Sequence, residues 1–537
     1  MIKKVSRQKK RIILVSLYLK DRYKELALSY LKVYFSRYSE FSKLVDIKIQ
    51  TFSIFDSNEA ITFKLARLKP HMLGFSCYVW NIDKTLEIVR LLKRNFPYLK
   101  IVLGGPEVSA QAKNLLRAEP LIDAVVINEG EETFKELVDS WLNDSRDLSK
   151  IKGLCYRNNG NVIETPFRAQ IQNLDTIPSP YLSGTIKVNK KDACLETMRG
   201  CTFSCRYCYY HKQFWGVRFF SMQRVKEELR YLLSKNIKII YLMDPTFNLK
   251  IDRSKEILRF FIKHKKDSHL HVELKAELLD KELIELLSKA GVGFLEIGLQ
   301  STNRKALALV KRDFSPVRFK QNIGLLNKKK INYVIQIIEG LPGDNYSSFK
   351  KSINWVCSLK PPSIEIPKLM LLPGTYLRNY AKEFKIKYEK KAPHFVLQAN
   401  TFGKEELERM DNLKFMLLYV FGNEFFKEVI YLLSDSLSRR FSDICVALDS
   451  WLSLNHPWAY SIFSELNKKS ESEQGDGKLN KALNIVALIK LTGLFKEFAG
   501  FYYHKYGRVE LPQILRKRID IKADSFLRQL GAKQELV

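Results

Sequence analysis

Short apolar runs alternate with amphipathic helical patterns through two long stretches of this chain. Such alternation is typical of parallel sheets, because the crossover between two parallel strands usually contains a helix that covers the sheet. Residues 11–145 therefore predict a doubly wound parallel sheet, and the six runs that begin near residue 191 predict an incomplete β/α barrel. The apolar runs are Ile12–Leu17, Val45–Phe52, Met72–Cys77, Lys100–Gly105, Ala124–Asn128, Ala193–Thr197, Ile237–Asp244, Leu270–Ala276, Gly293–Gln300, Tyr333–Gly340 and Ile364–Leu372.

The length of 537 residues exceeds what a single hydrophobic core usually holds, so several domains are expected. We predict a doubly wound domain at 1–145, a turn-rich connector at 146–190, a partial TIM-type (β/α)6 barrel at 191–385 and an all-α domain at 386–537. A polar loop at 468–478 interrupts the last of these. The helical patterns of this C-terminal domain are Glu405–Phe421, Glu424–Ser434, Phe441–Leu452 and Leu479–Leu494.

Composition and charge narrow the function classes. No run of about 18 uncharged apolar residues occurs, so no transmembrane helix is predicted. The apolar run behind the basic segment Met1–Arg11 is too short for a secretory signal, and the expected location is the cytoplasm. The formal net charge is +32, from 90 Lys and Arg against 58 Asp and Glu. Since these charges are spread along the whole chain, they leave open a nucleic acid, an anionic membrane or an acidic redox protein as partner.

Three of the eight cysteines crowd into one short string that follows the first strand of the predicted barrel. Cys201, Cys205 and Cys208 have the spacing C-x3-C-x2-C, and three thiolates on one loop can ligate three irons of a cubane cluster. The fourth iron is then free to bind a substrate or cofactor. Two alternatives stay open, a zinc knuckle completed by His211 and a set of buried cysteines that only pack. The loop lies where barrel enzymes carry their chemistry.

This string, with the aromatic Tyr207 before its last cysteine, resembles the signature of the radical S-adenosylmethionine (SAM) superfamily. The resemblance implies a [4Fe-4S] cluster whose open iron chelates SAM, and a 5′-deoxyadenosyl radical formed by reductive cleavage of that SAM. Later motifs in strand order extend it over about 190–376. By resemblance, the residues expected near the cluster and SAM are Tyr207, Asp244 in Tyr241–Phe247, Glu296 and Ser301 in Gly293–Ser301, and Ile337 in Ile337–Gly343, with Leu372–Thr375 ending the sixth strand.

The front domain resembles the cobalamin-binding domain that is fused to many radical SAM enzymes. The resemblance places Ser76 after the third strand, the pair Gly104 and Gly105 after the fourth, and Glu129 and Gly130 after the fifth beside the nucleotide tail of cobalamin. One departure is clear: residues 16–22 lack the histidine of the D-x-H-x-x-G motif that supplies an axial ligand to cobalt. A flavodoxin-like domain without cofactor is the alternative.

These resemblances imply cobalamin-dependent methylation of an unactivated carbon, with radical rearrangement as a variant. An RNA-modifying enzyme of the methylthiotransferase type is the alternative that the charge suggests. It is disfavoured, because such enzymes carry more cysteines in the front domain than Cys77 alone and a small β-barrel tail. A sensor without catalysis would be favoured only by loss of the cluster ligands. The expected partners are a small-molecule, lipid or peptide substrate and, as electron donor, an acidic flavodoxin or ferredoxin.

Overall fold

The structure is a computed structural model, and it describes residues 9–19, 26–143, 147–460, 485–507 and 510–529. It contains three units in chain order: a front sheet, a partial barrel and a helical tail. The fold class predicted from the sequence is confirmed. The polar loop predicted at 468–478 and the start of the predicted helix Leu479–Leu494 lie outside the described residues.

The front sheet has seven strands in the order β2-β1-β3-β4-β5-β6-β7. The first five are mutually parallel, and helices cover both faces, so that two separate apolar clusters flank the sheet. The strands are β1 (Lys10–Tyr18), β2 (Val45–Ser53), β3 (Met72–Ser76), β4 (Lys100–Gly104), β5 (Ala124–Val126), β6 (Leu154–Asn158) and β7 (Asn161–Glu164). The helices are α1 (Leu26–Tyr38), α2 (Asn58–Arg67), α3 (Ile82–Asn95), α4 (Pro106–Ser109), α5 (Ala112–Ala118) and α6 (Glu131–Leu142).

The last two strands of this sheet come from the segment that we interpreted as a connector. Strand β6 pairs antiparallel with β5, and β7 pairs antiparallel with β6, so residues 154–164 extend the front sheet. The sequence hid them because both are short, with Asn159-Gly160 as the turn between them. Residues 165–190 then cross to the barrel.

The second sheet has six parallel strands in the order β15-β14-β13-β12-β11-β8 and remains open between its two edge strands, as predicted for a partial barrel. A short antiparallel ribbon, β9 with β10, is inserted behind β8. The strands are β8 (Asp192–Leu195), β9 (Met198–Gly200), β10 (Val217–Phe219), β11 (Ile239–Leu242), β12 (His269–Leu274), β13 (Phe294–Gln300), β14 (Tyr333–Ile337) and β15 (Ser363–Glu365). The helices are α7 (Tyr210–Gln213), α8 (Met222–Ser234), α9 (Ile251–His264), α10 (Lys281–Ala290), α11 (Arg304–Leu309), α12 (Pro316–Lys328), α13 (Tyr346–Ser358) and α14 (Tyr376–Asn379).

The helical tail packs on the barrel and shares one continuous apolar core with it. A two-stranded ribbon, β16 (Lys387–Tyr388) with β17 (Val396–Gln398), precedes it. No helix among the described residues is long and apolar enough to cross a membrane. The tail helices are α15 (Lys404–Phe421), α16 (Glu424–Leu437), α17 (Phe441–Asn455), α18 (Ile485–Gly507) and α19 (Gln513–Gln529).

Candidate functional site

The three-cysteine loop begins directly after the ribbon strand β9. Gly200 ends that strand with a φ of +95°, and a Cβ built on it would lie 1.8 Å from the carbonyl oxygen of Gly216. Only glycine therefore fits where the two ribbon strands touch. Cys201 follows at once, so the close pairing of this ribbon fixes where the cysteine loop starts.

The middle of the loop is tied to the far side of the barrel. The backbone N–H of Arg206 donates to the carbonyl of Val310 at 3.0 Å, and its Nη1 donates to the carbonyl of Leu309 at 2.9 Å. Its own carbonyl accepts from the N–H of Leu377 at 3.1 Å, and its guanidinium lies 4.2 Å from the ring centroid of Tyr376. Segments behind β13 and β15 thus hold the loop over the carboxyl ends of the barrel strands.

The three thiols lie near one another in a half-buried position. Cys205 is buried and the other two are partly exposed. The pKa of Cys208 is raised to about 11, mainly by burial and to a smaller extent by the neighbouring Cys205 and Cys201. Among the described residues, no three cysteine, histidine or carboxylate side chains surround one point as ligands of a single metal ion do. A cubane makes a different demand, because each of its irons takes one thiolate, and three thiols on one anchored loop fit that demand.

Arg312 is a charged side chain beside the loop that sequence analysis did not single out. Its Nη1 lies 3.8 Å from the Cys205 sulfur, and its Nη2 donates to the carbonyl of Gly298. A positive charge at this place favours thiolate and also favours the more negative, reduced form of a cluster. No sequence motif contains Arg312, so only the fold reveals this contact.

Arg312→Gln is expected to make the reconstituted cluster harder to reduce. The charge removed lies within roughly 6 Å of the cluster. At an effective dielectric constant of about 20, its attraction for the electron added on reduction is about 3 kcal/mol, on the order of 100 mV for one electron. A redox titration followed by electron paramagnetic resonance (EPR) measures this shift. The exposed Arg304→Gln is the matched control and should leave the potential in place. An unshifted potential in Arg312→Gln would contradict this assignment.

Asp244 follows β11 and is 1 % exposed. Its carboxylate accepts from the backbone N–H groups of Thr197 at 2.8 Å and Met198 at 3.2 Å, and also from the Thr197 hydroxyl. Burial raises the pKa of Asp244 to about 6 despite these hydrogen bonds. The side chain therefore braces the segment that leads into β9. A role beside the SAM amine stays a prediction, and the observed role is to hold the start of the ribbon.

Glu296 lies on the inward face of β13, inside the barrel. It accepts from Gln336 Nε2 at 3.1 Å and lies 2.7 Å from His271 Nε2. Glu273 on β12 pairs in register with it, and its side chain is exposed; partial loss of hydration and the charges of Glu296 and Glu365 raise the pKa of Glu273 above the usual range of a glutamate. The barrel interior is thus polar and acidic at mid-height, and a contact of Glu296 with SAM stays a prediction.

Ser301 and Ile337 are placed differently from the expectation. Ser301 is fully buried, its hydroxyl donates to Asp344 at 2.9 Å and accepts from the N–H of Asn303 at 3.0 Å. Ile337 is also fully buried and packs in the apolar core. Neither side chain is open to a cofactor, so a contact with SAM could come only from their backbone. The resemblance located the strand ends, but the alternation of faces along the strands decides the side chains.

The front sheet offers a ligand edge at its topological switch point. The strand order reverses between β1 and β3, and in open α/β sheets ligands bind outside the carboxyl ends at such a point. The buried Asn81 stands there, with its Nδ2 donating to the carbonyls of Leu17 and Ser76 at 3.0 Å each. Ser76 and Gly104 are half-buried beside it, so this edge keeps open backbone for a large ligand. The residues present fit a cobalamin tail.

The two glycines after β4 have different roles. A Cβ on Gly104 would meet Val126 only at 3.8 Å, which is ordinary contact. Gly105 has a φ of +112°, and a Cβ on it would lie 2.5 Å from the Cys77 carbonyl oxygen. Gly105 is therefore needed for contact with the neighbouring strand, whereas Gly104 faces the open edge. The sequence pattern treated them as one pair.

Substitution of the two glycines should separate folding from cofactor uptake. Gly104→Val is expected to keep the front domain folded and to lower cobalamin uptake, because the added side chain fills the edge. Gly105→Ala should destabilise the domain by about 1–3 kcal/mol, because a non-glycine residue at this φ is strained. Thermal unfolding and cobalamin stoichiometry measure the two effects. Full uptake by Gly104→Val would mean that the groove lies elsewhere.

Glu129 and Gly130 depart most from the prediction for the front domain. Both carboxylate oxygens of the buried Glu129 accept hydrogen bonds from the barrel unit and the crossing segment, so the side chain does not line the groove. A Cβ on Gly130 would lie 3.1 Å from the Leu31 side chain, which places this glycine under α1. The likeness in sequence identified the loop but not the direction of its side chains.

Two residues that follow the barrel strands, Lys414 in the tail and His394 in the ribbon before it, contact buried carboxylates, and sequence analysis missed both. Lys414 of α15 lies 2.6 Å from Glu339, a fully buried carboxylate behind β14, and burial raises the pKa of Glu339 to about 7. His394 Nε2 lies 3.1 Å from Glu107 of the front domain. Single charged or titratable residues outside a motif carry no sequence signal for such contacts.

A three-thiol loop above a partial parallel barrel, joined to a doubly wound sheet with an open switch point, defines the class of a radical SAM protein with a corrinoid-type front domain. Family comparisons agree: residues 195–356 match the Radical SAM superfamily and residues 13–138 match the B12 binding domain. The chain therefore belongs to the radical SAM superfamily, in the subgroup that carries an N-terminal B12 binding domain. This confirms the predicted cofactors, a [4Fe-4S] cluster, SAM and cobalamin.

Two curated relatives and one solved structure place the chain further. It is 28% identical over 326 residues to an uncharacterized methyltransferase of Pyrococcus horikoshii, covering 59% of this chain and 70% of the relative. It is 25% identical over 347 residues to the cobalamin-dependent radical SAM methyltransferase TokK of Streptomyces tokunonensis, covering 59% of this chain but only 49% of TokK. The fold matches the cobalamin-dependent SAM radical enzyme OxsB with a TM-score of 0.63 at 15% identity, over 97% of this chain and 84% of OxsB.

Proposed function

We propose that the chain is a cobalamin-dependent radical SAM enzyme that methylates an unactivated carbon of its substrate. The observation that carries the proposal is that the cysteine loop and the ligand edge of the front sheet belong to units joined by buried contacts. Glu129 and Glu131, behind β5, contact Arg199, which lies two residues before Cys201. Two relatives whose printed names include methyltransferase support methyl transfer as the reaction.

The proposal assigns a task to each part of the chain. Cys201, Cys205 and Cys208 hold the cluster, and the edge beside Ser76 and Gly104 holds the corrinoid. When bound, these groups supply a 5′-deoxyadenosyl radical from SAM and a methyl group for transfer. The half-buried loop and the shared interface keep water from the reacting centre. The acidic barrel interior, in which Glu296 is hydrogen-bonded on both oxygens, lines the space between the cysteine loop and the corrinoid edge.

Methyl transfer onto the cofactor can be tested before any substrate is known. The protein is reconstituted without oxygen, loaded with cobalamin, reduced and incubated with SAM that carries a CD3 methyl group. We expect protein-bound methylcobalamin that is heavier by three deuterium substitutions, measured by mass spectrometry. Gly104→Val, which should take up less cobalamin, is the matched control. Bound cobalamin that never acquires the label would contradict methyl transfer.

The partners that we propose follow from charge and chemistry. The substrate is a small molecule, lipid or peptide that enters the barrel, and the electron donor is an acidic flavodoxin or ferredoxin, attracted by the net charge of +32. The rate of cluster reduction by such a donor should fall as ionic strength rises, because salt screens this attraction. Stopped-flow reduction at two salt concentrations tests the donor.

A further inference from the structure

Arg199 is the middle residue of β9 and lies two residues before the first cluster cysteine. It is 4 % exposed, and all three of its guanidinium nitrogens are paired with carboxylates. Nη1 lies 2.9 Å from Glu129, Nη2 lies 2.8 Å from Glu131, and Nε lies 3.0 Å from Glu196. Two of these three partners belong to the front domain, so the ribbon is bonded directly to the unit that carries the cobalamin edge.

A second arginine of the same ribbon reinforces this contact. Arg218 of β10 pairs in register with Arg199, and its Nη1 lies 2.9 Å from Glu129 and 2.6 Å from the carbonyl of Ile171. The other oxygen of Glu129 accepts from the Ile171 N–H at 3.1 Å. The ring centroid of Tyr30, in the front domain, lies 5.3 Å from Cζ of Arg199. One front-domain carboxylate therefore joins both ribbon strands and the segment that crosses between the units.

Buried ion pairs add little net stability, but they can specify a unique geometry. Removing two charges from water costs free energy that their attraction only roughly offsets, whereas hydrogen bonds with fixed directions allow few alternative arrangements. An interface that needed only stability could use apolar contacts. The two ends of the network adjoin the two candidate cofactor sites. Glu129 follows the end of β5 on the ligand edge, and Arg199 precedes the cysteine loop.

We infer that Arg199, with Arg218, Glu129 and Glu131, forms an interdomain clamp that sets the position of the cluster loop relative to the ligand edge of the front sheet. Arg199 is a positioning residue, since it touches neither the thiols nor the groove. The functional meaning of the clamp rests on the proposed function. The distance that the clamp fixes matters only when the cluster loop and the ligand edge of the front sheet both carry their cofactors. The geometry of the clamp itself does not depend on that function.

Hydrogen exchange of the full-length, anaerobically reconstituted protein tests the clamp. Glu129→Gln and Glu131→Gln keep the side-chain shape and remove the charge, and each should speed amide exchange in both 128–131 and 198–219 by at least about tenfold. Glu132→Gln is the matched control, because Glu132 is a neighbour on α6 whose ion pair with Arg168, at 2.9 Å, lies outside the network. It should change neither segment.

A second readout concerns the cofactors. Magnetic coupling between the reduced cluster and protein-bound cob(II)alamin, seen in EPR spectra, should weaken in Glu129→Gln while iron and cobalamin contents stay at the wild-type level. Wild-type protein that takes up no cobalamin would contradict the proposed function, while the exchange data would still decide the clamp. Unchanged exchange in both variants would overturn the inference. If Glu129→Gln and Glu131→Gln both fail to fold while Glu132→Gln folds, the network serves stability alone, and the inference is overturned as well.

Discussion

Cys205→Ala is expected to reduce cleavage of SAM to 5′-deoxyadenosine to the background level. Cys205 is the buried member of the three cluster cysteines and has the Arg312 guanidinium 3.8 Å away. With two thiolates left, a cubane cluster loses one of its three protein ligands, and the open iron no longer has a defined position for SAM. The measurement is 5′-deoxyadenosine per chain after reduction with dithionite, together with iron content.

The control for this substitution is Cys155→Ala in the front sheet. Cys155 is equally a buried cysteine, but it lies on β6, outside the cluster loop. It should keep iron content and SAM cleavage close to wild type, with a loss in stability of about 1 kcal/mol for the removed sulfur. SAM cleavage at the wild-type rate in Cys205→Ala would remove the basis for a radical SAM assignment of this loop.

Gly200→Ala is expected to prevent cluster assembly although all three cysteines remain. The φ of +95° alone costs an alanine about 1–3 kcal/mol. The overlap with the Gly216 carbonyl, 1.8 Å from the new Cβ, cannot be relieved by a side-chain rotation and forces the ribbon apart. Because Cys201 follows directly, the loop loses its fixed starting point. Iron and sulfide content after reconstitution measures the effect.

Gly216→Ala separates strain from steric overlap. Gly216 also has a positive φ, of +67°, but no atom lies within 4 Å of a Cβ built on it. The variant should therefore bind the cluster and lose only a little stability, because it carries the backbone strain without the collision. Equal iron contents in the two variants would show that the ribbon contact does not position the loop.

The sequence predicted the parts of this protein that depend on periodicity and on spacing. All but one of the parallel strands were predicted within a few residues, because buried parallel strands read as continuous apolar runs. Strand β1, for example, was expected at Ile12–Leu17 and spans Lys10–Tyr18. The sixth barrel strand is the exception: it was expected over Ile364–Leu372, with its end at Leu372–Thr375, and it spans only Ser363–Glu365. The cysteine loop was located from spacing alone. Strands β6 and β7 were missed, because two short strands joined by a two-residue turn look like a loop in a turn-rich segment.

Side-chain direction was the part that sequence could not give. Glu129 was expected at the cobalamin groove and instead pairs with Arg199 and Arg218, because the ribbon that reaches it is 70 residues or more away along the chain. Ser301 and Ile337 were expected beside SAM and are buried on other contacts. Arg312 and His394 carry no motif, and their roles appear only when distant segments meet. Long-range contacts of single charged residues leave no periodic or local signal.

Cofactor stoichiometry shows whether one chain holds both an iron-sulfur cluster and cobalamin. The protein is purified without oxygen, the cluster is rebuilt with iron and sulfide, hydroxocobalamin is added, and the desalted sample is analysed for iron, sulfide and cobalt and by its visible spectrum. We expect one [4Fe-4S] cluster and one cobalamin per chain, and the cobalamin should lack an axial histidine from residues 16–22. A protein that holds the cluster and retains no cobalamin would contradict the proposed function.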